Sequence, residues 1–369
     1  MKVLVGMSGG VDSSVAALLL KKQGYDVEGV SLLMFETRLE CKDPRSCCSL
    51  DSVKDAARTA HAVGIPHRIL DARDAFIEKV IGPFAAAYSK GETPNPCILC
   101  NRHIKFPVLF EAAAREGAGL IATGHYARIK TTPSGPVLSR AVDPKKDQSY
   151  VLYSQTREEL KKLIFPLGEF KKEEVRHMAR EAGLPVFDRP ESQEICFIEG
   201  KNYSAMIKEL CPAALERGPV LDETGKMIGA HEGICRYTIG QRKGLGGKRD
   251  SHDPKPLYVY RIDAGRNAIY AGNRERAFST AMEVGGMNWL MDGWSVLDKF
   301  KAGVKVRSTM QPAPATVYVS GGAARVLFDA PQWAAAPGQS AVFYDGEDVI
   351  GGGIILESKT ENIPEGTGK

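Results

Sequence analysis

The sequence predicts an α/β domain built on a parallel sheet, followed by a small β-rich central domain and a C-terminal β-barrel. Three observations carry this. Up to Ile129, short apolar runs alternate with helix-period patterns, the signature of parallel strands joined by crossover helices. From residue 205 to 278 the runs shorten and Gly, Asp and Pro turns divide them. From residue 279 strands follow one another with no helix-length segment between, as a sheet closed on itself to remove its edges would show. The expected domains are therefore residues 1–204, 205–278 and 279–369.

Taken in order, KVLVGM (2–7) reads as a buried strand. Ser13 to Gln23 reads as a helix with Val15, Ala16, Leu18 and Leu19 inward and Gly24 as its stop. VEGVSLLMF (27–35) is a second strand, Asp51 to Val63 a helix ending at Gly64, and HRIL (67–70) a third strand. KGETPNPCILCN (90–101) reads as a Pro-broken loop leading to a helix from Phe106 to Arg115 and one strand over LIATGHYARI (120–129). Asp147 to Leu184 is helical in pattern, most clearly at Glu158 to Leu163 and Lys171 to Ala182. ICRYTIG (234–240) and PLYVYRID (256–263) read as strands of the central region. GVKVRS, ATVYVS, ARVLFD, SAVFYD and VIGGGII, between Gly303 and Ile355, are the strands of the barrel, and the last ten residues read as a frayed tail.

Composition limits the function classes. Over 369 residues, 43% hydrophobic and 25% charged exclude intrinsic disorder and collagen-like repeats, and a net charge of +4 is too small to mark a partner class. Gly9, Gly10 and Asp12 interrupt the apolar N-terminus too early for a signal peptide, and no 18 apolar residues run together. The expectation is a cytoplasmic protein with no membrane partner. Its eight cysteines, Cys41, Cys47, Cys48, Cys97, Cys100, Cys196, Cys211 and Cys235, are too few for a disulfide scaffold. In a reducing compartment they remain available for chemistry or metal.

The strongest local signal is SGGVDS, Ser8 to Ser13, set between a strand and a helix. Two glycines let the backbone bend and present its amides, and the helix start adds unpaired N–H groups and a positive dipole end. Ser8 and Ser13 can donate hydroxyl bonds, and Asp12 could hold a Mg²⁺ arriving with a pyrophosphate. The GK[ST] of the usual phosphate loop is missing, so γ-phosphate transfer is not the natural reading. This is the pattern of the PP-loop ATP pyrophosphatases, which resemble one another in cleaving ATP to AMP and pyrophosphate.

The second signal is Cys-x-x-Cys at Cys97 and Cys100, with a further thiol at Cys196. Such spacing can lower a thiol's pKa, and the turn at Asn95 and Pro96 would leave both sulfurs at a surface. Half of a zinc site completed by Cys41, Cys47 or Cys48 is the structural alternative. Cys211 and Cys235 read as small buried hydrophobes, and His61, His67 and His177 as packing or surface residues.

SGGVDSS, TPNPCILCNRHIKF, ATGHYARI, KDQSYVLY, CFI and YTIGQRKGLG occur in this order, and PGQSAVFYDGEDVIGGGII follows near the end. Together they resemble the tRNA-specific 2-thiouridylase family, along the whole chain. The resemblance implies an adenine nucleotide hydrolase-like PP-loop fold and ATP-dependent 2-thiolation of the wobble uridine of tRNA. It places Gly6, Met7, Ser8, Gly9, Gly10, Val11, Asp12 and Ser13 at the ATP phosphates and Leu32 and Gly124 around the adenosine. It makes Cys100 the nucleophile and Cys196 the persulfide carrier. Asn95, Pro96 and Cys97 would face the base. His125, Lys146, Asp147 and Gln148 would touch tRNA, and so would Arg307, Ser308 and Gln339 from the barrel. Implied cofactors are ATP and Mg²⁺, and implied partners the anticodon stem-loop of tRNA and a protein that donates persulfide sulfur.

Two departures stand out. Some family members carry Asp where Cys97 stands, so an acid–base role cannot be assigned to this side chain as a carboxylate. Ser308 occupies a place where an aromatic is common. Two further readings stay open at this point: the same reaction using a [4Fe–4S] cluster on Cys97, Cys100 and Cys196, and another PP-loop ligase working through an acyl adenylate. Phosphate contacts would come from Arg102, His103 and Lys105, from Lys145 and Lys146, and from Arg242, Lys243, Lys248 and Arg249.

Overall fold

The computed structural model describes residues 1–35, 50–190, 196–197, 212–245 and 256–361. These belong to two compact units, one drawn from residues 1–81, 96–202 and 347–349, the other from residues 82–95, 203–346 and 350–369. Cys41, Cys47, Cys48, Cys211, Lys248 and Arg249 lie outside the described residues.

In chain order the first unit begins with β1 (Lys2–Gly6), α1 (Val11–Lys22), β2 (Asp26–Leu33), α2 (Leu50–Val63), β3 (His67–Asp71) and α3 (Arg73–Phe76), which runs into a π-turn at Ile77–Ile81. After α4 (Gly82–Ser89), which belongs to the second unit, come α5 (Pro96–Cys100), a second π-turn at Asn101–Lys105 and α6 (Phe106–Arg115). β4 (Leu120–Thr123), β5 (Ala127–Thr132), β6 (Gly135–Arg140), α7 (Ser149–Leu152), α8 (Arg157–Leu160), β7 (Leu163–Ile164) and α9 (Lys172–Glu181) follow. A five-stranded sheet, ordered β3-β2-β1-β4-β7 and parallel throughout, forms its centre.

Strand alternation explains how helices cover this sheet. Val3 and Val5 of β1 point to one face, where they are fully buried with Ala17 and Leu20 of α1 and Ala56 and Ala60 of α2. Gly6 has the opposite parity, and a Cβ built on it would meet Leu109 Cδ1 of α6 at 3.2 Å. Helices therefore lie on both faces. Strand order reverses between β1 and β4, and in open parallel sheets ligands bind beyond the strand ends at that switch point.

The second unit holds two β layers. A four-stranded sheet, ordered β10-β11-β8-β9, comprises β8 (Arg217–Leu221), β9 (Met227–Glu232), β10 (Tyr258–Asp263) and β11 (Ala268–Gly272). The barrel comprises β12 (Phe278–Trp289), β13 (Lys299–Lys305), β14 (Ala313–Ser320), β15 (Ala323–Trp333), β16 (Ser340–Asp345) and β17 (Asp348–Lys359). Its order is β12-β15-β14-β13-β16-β17, and β17 pairs back onto β12 to close it. Val284, Val304, Val317, Val326, Phe328, Phe343 and Ile355 fill it. α4 docks Tyr88 against Ala214 and Cys235, and burial together with the nearby Cys235 thiol pushes the Tyr88 phenol up to about 12.

Several sequence expectations fail locally. The supposed loop at residues 96–101 is helical, because Pro96 has the fixed φ of a first-turn residue and starts α5 instead of breaking it. ICRYTIG is not a strand: Ile234–Arg236 form a 3-10 turn, and Ile234 and Cys235 are both buried, which strand alternation would not allow on one core face. LIATGHYARI is two strands, because Gly124 packs so closely on α1 that the chain turns out of the parallel sheet there. β2 stops at Leu33, where its partner β3 also ends at Asp71, so Met34 and Phe35 have no strand to pair with. Of the supposed tail, residues 362–369 lie outside the described residues, while Glu361 is tied down by its amide on Thr280 Oγ1 at 2.7 Å and by Arg325 at 2.5 Å.

Candidate active site

Residues 6–13 cross from the end of β1 into α1, at the switch point. Gly9 has φ +71°, and a Cβ there would lie 2.1 Å from the Ser52 carbonyl oxygen, so only glycine fits. Arg189 pins this turn from outside: Nη1 donates to the Gly9 carbonyl at 2.8 Å and to Asp55 at 2.6 Å, and Nη2 to Ser52 Oγ at 3.2 Å. Inside, the Ser8 amide donates to Ser13 Oγ at 3.1 Å and Ser14 Oγ to the Gly10 carbonyl at 2.8 Å. Gly10 caps α1 without a side-chain hydrogen bond, so the first-turn amides are left for a ligand. With the dipole of a 12-residue helix behind them they make an anion cradle.

The loop opens on a cleft of about 860 Å³, open solvent included, lined among others by Ser8, Asp12, Ser13, Leu32, Met34, Gly124 and His125. Gly124 closes the far wall so tightly that a Cβ would lie 2.6 Å from the Ser13 amide nitrogen. Opposite, the Met7 amide donates to the Val30 carbonyl at 2.8 Å and Ser31 Oγ to the Met7 carbonyl at 2.8 Å, which fixes the strand ends around Leu32. Asp12 receives the Tyr126 hydroxyl at 2.8 Å and Lys172 Nζ at 2.6 Å, both on Oδ1. Its Oδ2 takes no bond among the described residues and could hold a cation. Tyr126, Lys172 and Arg189 lie far along the chain from SGGVDS, and no local pattern marks them.

His125, expected at tRNA, stands in the cleft wall and is 8% exposed. Its Nδ1 shares a 2.7 Å hydrogen bond with Thr123 Oγ1, and Phe106 and Phe165 pack on its ring. Burial, with the Lys105 charge adding to it, holds its pKa well below 6.5, so it is neutral at pH 7. Gln148 also lines the cleft, its Oε1 accepting from the Tyr126 amide at 2.9 Å. Asp147 turns its carboxylate inward to the amides of Ala141 and Ser149, at 3.2 and 3.1 Å, and its side chain is fully shielded. Lys146 is half-buried on the same loop.

The thiols occupy the same unit. α5 exposes Cys97 and buries Cys100, which corrects the expectation that both sulfurs reach a surface. At i and i+3 the two are neighbours on the helix surface, so packing around Cys100, not helix phase, is what hides it. Cys100 Sγ lies 3.6 Å from the thioether of Met34, a residue that also lines the cleft, so one side chain touches both places. Cys196 is half-buried, beside Phe197, whose ring meets Phe76 edge-on at 5.5 Å. No disulfide joins Cys97, Cys100, Cys196 or Cys235.

In the second unit, Gln339 Nε2 donates to the Thr93 carbonyl at 2.8 Å, and Thr93 Oγ1 and Thr238 Oγ1 share a 2.7 Å bond, two residues before Asn95. Arg307 is half-buried, donating to the carbonyls of Ala334 at 3.1 Å and Ile239 at 2.9 Å. Both side chains expected at tRNA thus carry structural bonds. Ser308 is exposed beside them.

A parallel sheet with a glycine-rich pyrophosphate cradle at its switch point defines a PP-loop nucleotide-binding protein. Residues 1–200 match the family described as tRNA methyl transferase HUP domain, residues 204–273 its PRC-barrel domain, and residues 279–355 the aminomethyltransferase beta-barrel domain. The chain is 44% identical over 359 residues to the tRNA-specific 2-thiouridylase MnmA of Clostridium acetobutylicum, covering 96% of this chain and 99% of that one. To the proteins of the same name from Clostridioides difficile and Rhodospirillum centenum it is 42% and 41% identical, over 97% and 100% of this chain and 98% and 96% of theirs. The chain belongs to the tRNA-specific 2-thiouridylase family.

Proposed function

We propose that this protein is an ATP-dependent tRNA sulfurtransferase that replaces the C2 oxygen of the wobble uridine with sulfur, releasing AMP and pyrophosphate. The observation that carries the reading is the contact of Met34, a wall of the ATP cleft, with the buried Cys100 thiol. Activation and sulfur chemistry then meet at one place.

The C2 oxygen of uridine is a poor leaving group, so it must first attack the α-phosphorus of ATP. The first-turn amides of α1 and its dipole stabilise the departing pyrophosphate. Bound Mg²⁺ would neutralise charge on that pyrophosphate, and Asp12 Oδ2 is the group that would hold it. Neutral His125 supports the cleft without adding charge. The terminal sulfur of a persulfide on Cys196 attacks C2 and expels AMP. Cys100, as thiolate, attacks Cys196 Sγ; the sulfur–sulfur bond to the base breaks, C2 keeps the sulfur, and a Cys100–Cys196 disulfide forms. A cellular dithiol returns two electrons and restores both thiols.

The substrate is the anticodon stem-loop, whose wobble base is already unstacked, and the sulfur source is a protein persulfide. A tRNA substrate supports a cytoplasmic location; separately, no helix among the described residues is long and apolar enough to cross a membrane. We assign ATP chemistry to residues 1–204 and tRNA contact to residues 205–278 and 279–369, with Cys97 at the base. Among the described residues no three His, Cys, Asp or Glu side chains are gathered as metal ligands, so Cys97, Cys100 and Cys196 do not form a cluster site as they stand, and no step is routed through iron.

The test is nucleoside mass spectrometry of tRNA incubated with the protein, ATP and a persulfide donor. We expect ATP-dependent 2-thiouridine. Its absence, with pyrophosphate released on adding a small carboxylate instead, would point to the ligase reading.

A further inference from the structure

Phe76 ends α3 and is fully buried. Two aromatic rings pack on it: Phe35 stacks at 6.1 Å with the planes 28° apart, and Phe197 meets it edge-on at 5.5 Å and 77°. Both partners sit on irregular backbone and both adjoin a sulfur. Phe35 follows Met34, whose thioether lies 3.6 Å from Cys100 Sγ, and Phe197 follows Cys196. An ordinary core phenylalanine packs against the faces of strands and helices. Here one ring joins two segments whose neighbouring residues are the reaction's two thiols, one directly and one through a methionine.

We propose that Phe76 is a positioning residue that sets the reach between Cys196 and Cys100, by docking Phe197 on one side and Phe35 on the other. The proposal rests on the sulfur-relay reading of the two cysteines. A thiolate attacking a sulfur must come within van der Waals contact along a narrow direction, and a misplacement of about 1 Å can cost two orders of magnitude in rate. The turn at Cys196 and Phe197 is neither helix nor strand, so side-chain packing must orient it. An edge-to-face ring pair has a preferred angle and supplies that orientation. The stack of Phe35 on the same ring keeps Met34 against Cys100.

The experiment uses the full chain and dibromobimane, a short reagent that bridges two thiols as each thiolate displaces a bromide, with the linked peptides read by mass spectrometry. Wild type is expected to give a Cys100–Cys196 link. Phe76→Ala and Phe197→Ala should each lower its yield about tenfold and slow thiouridine formation at saturating substrates by as much. KM for ATP and tRNA-dependent pyrophosphate release should stay within about twofold. Phe197→Tyr, which keeps the ring, should restore the link, and the double alanine variant should be no worse than either single one. Phe197 is half-buried, so its variant carries the test if Phe76→Ala does not fold. A normal cross-link in folded Phe197→Ala, or a lost cross-link with normal thiolation, overturns the proposal. A link that depends on Phe197 in a protein that never thiolates tRNA upholds the positioning and rejects the activity.

Discussion

The phosphate cradle and the thiol pair lie in the same α/β unit, yet one is made of backbone pinned from several sides and the other of side chains carried on turns and short helices. At residues 8–13 the proposed ligand groups are the first-turn amides of α1, and the loop is held by Gly9 against Ser52, by Arg189 on the Gly9 carbonyl and by Gly124 against α1. Cys100 meets the Met34 thioether, and next to Cys196 the Phe197 ring packs on Phe76, which Phe35 also meets. Pyrophosphate departure gains from a rigid set of dipoles fixed before the reaction. Sulfur relay needs two thiols that can also accept sulfur from outside and return to a reduced pair, so a tightly pinned backbone would hinder it.

The comparison can be broken most forcefully at Gly9. Gly9→Ala combines a positive φ with a 2.1 Å overlap on the Ser52 backbone, and should weaken ATP binding by about 2 kcal/mol or more in calorimetric titration. An unaffected affinity would mean that the cradle adapts and is not pre-formed. A smaller effect is expected from Lys172→Met. This removes the buried cation from Asp12, and because the Asp12 side chain is 34% exposed the loss in denaturant stability should be about 1–2 kcal/mol, less than for a fully buried pair.

His125 gives a pH test. Burial depresses its folded pKa below 6.5, so its contribution to stability is present above 6.5 and is lost as pH falls below that, when the unfolded chain takes up a proton the folded chain refuses. Wild type should therefore lose more stability between about pH 7 and about pH 5 than His125→Gln does. Equal slopes would contradict the burial. The smallest effect is expected at Gln339→Ala, which removes one hydrogen bond to the Thr93 carbonyl and should cost about 1 kcal/mol of unfolding free energy with ATP affinity unchanged.

The two regions also differed in how far the sequence revealed them. SGGVDS announces itself because phosphate binding needs glycine conformation, hydroxyls and a helix start at consecutive positions. The parallel sheet was legible for a similar reason, its strands being continuous apolar runs. Arg189, Lys172 and Tyr126 were hidden because their partners stand in a different part of the chain, and charge alone does not mark a pair separated by more than a hundred residues. The helix at Pro96 was misread because proline breaks a helix interior but suits its first turn. Cys100 and Cys196 could be named from the family's motifs, yet Met34, Phe35 and Phe76 look like any apolar residue until the fold brings them together.

The central claim is that ATP activation and sulfur transfer are separate steps served by separate groups. It is tested most directly by measuring pyrophosphate release and 2-thiouridine formation side by side in Cys196→Ala with tRNA and ATP. The account predicts that tRNA-dependent pyrophosphate release persists within about threefold of wild type while thiouridine falls more than about a hundredfold. Thiouridine formed at the normal rate, or both activities lost together in a folded protein that binds ATP, would contradict it.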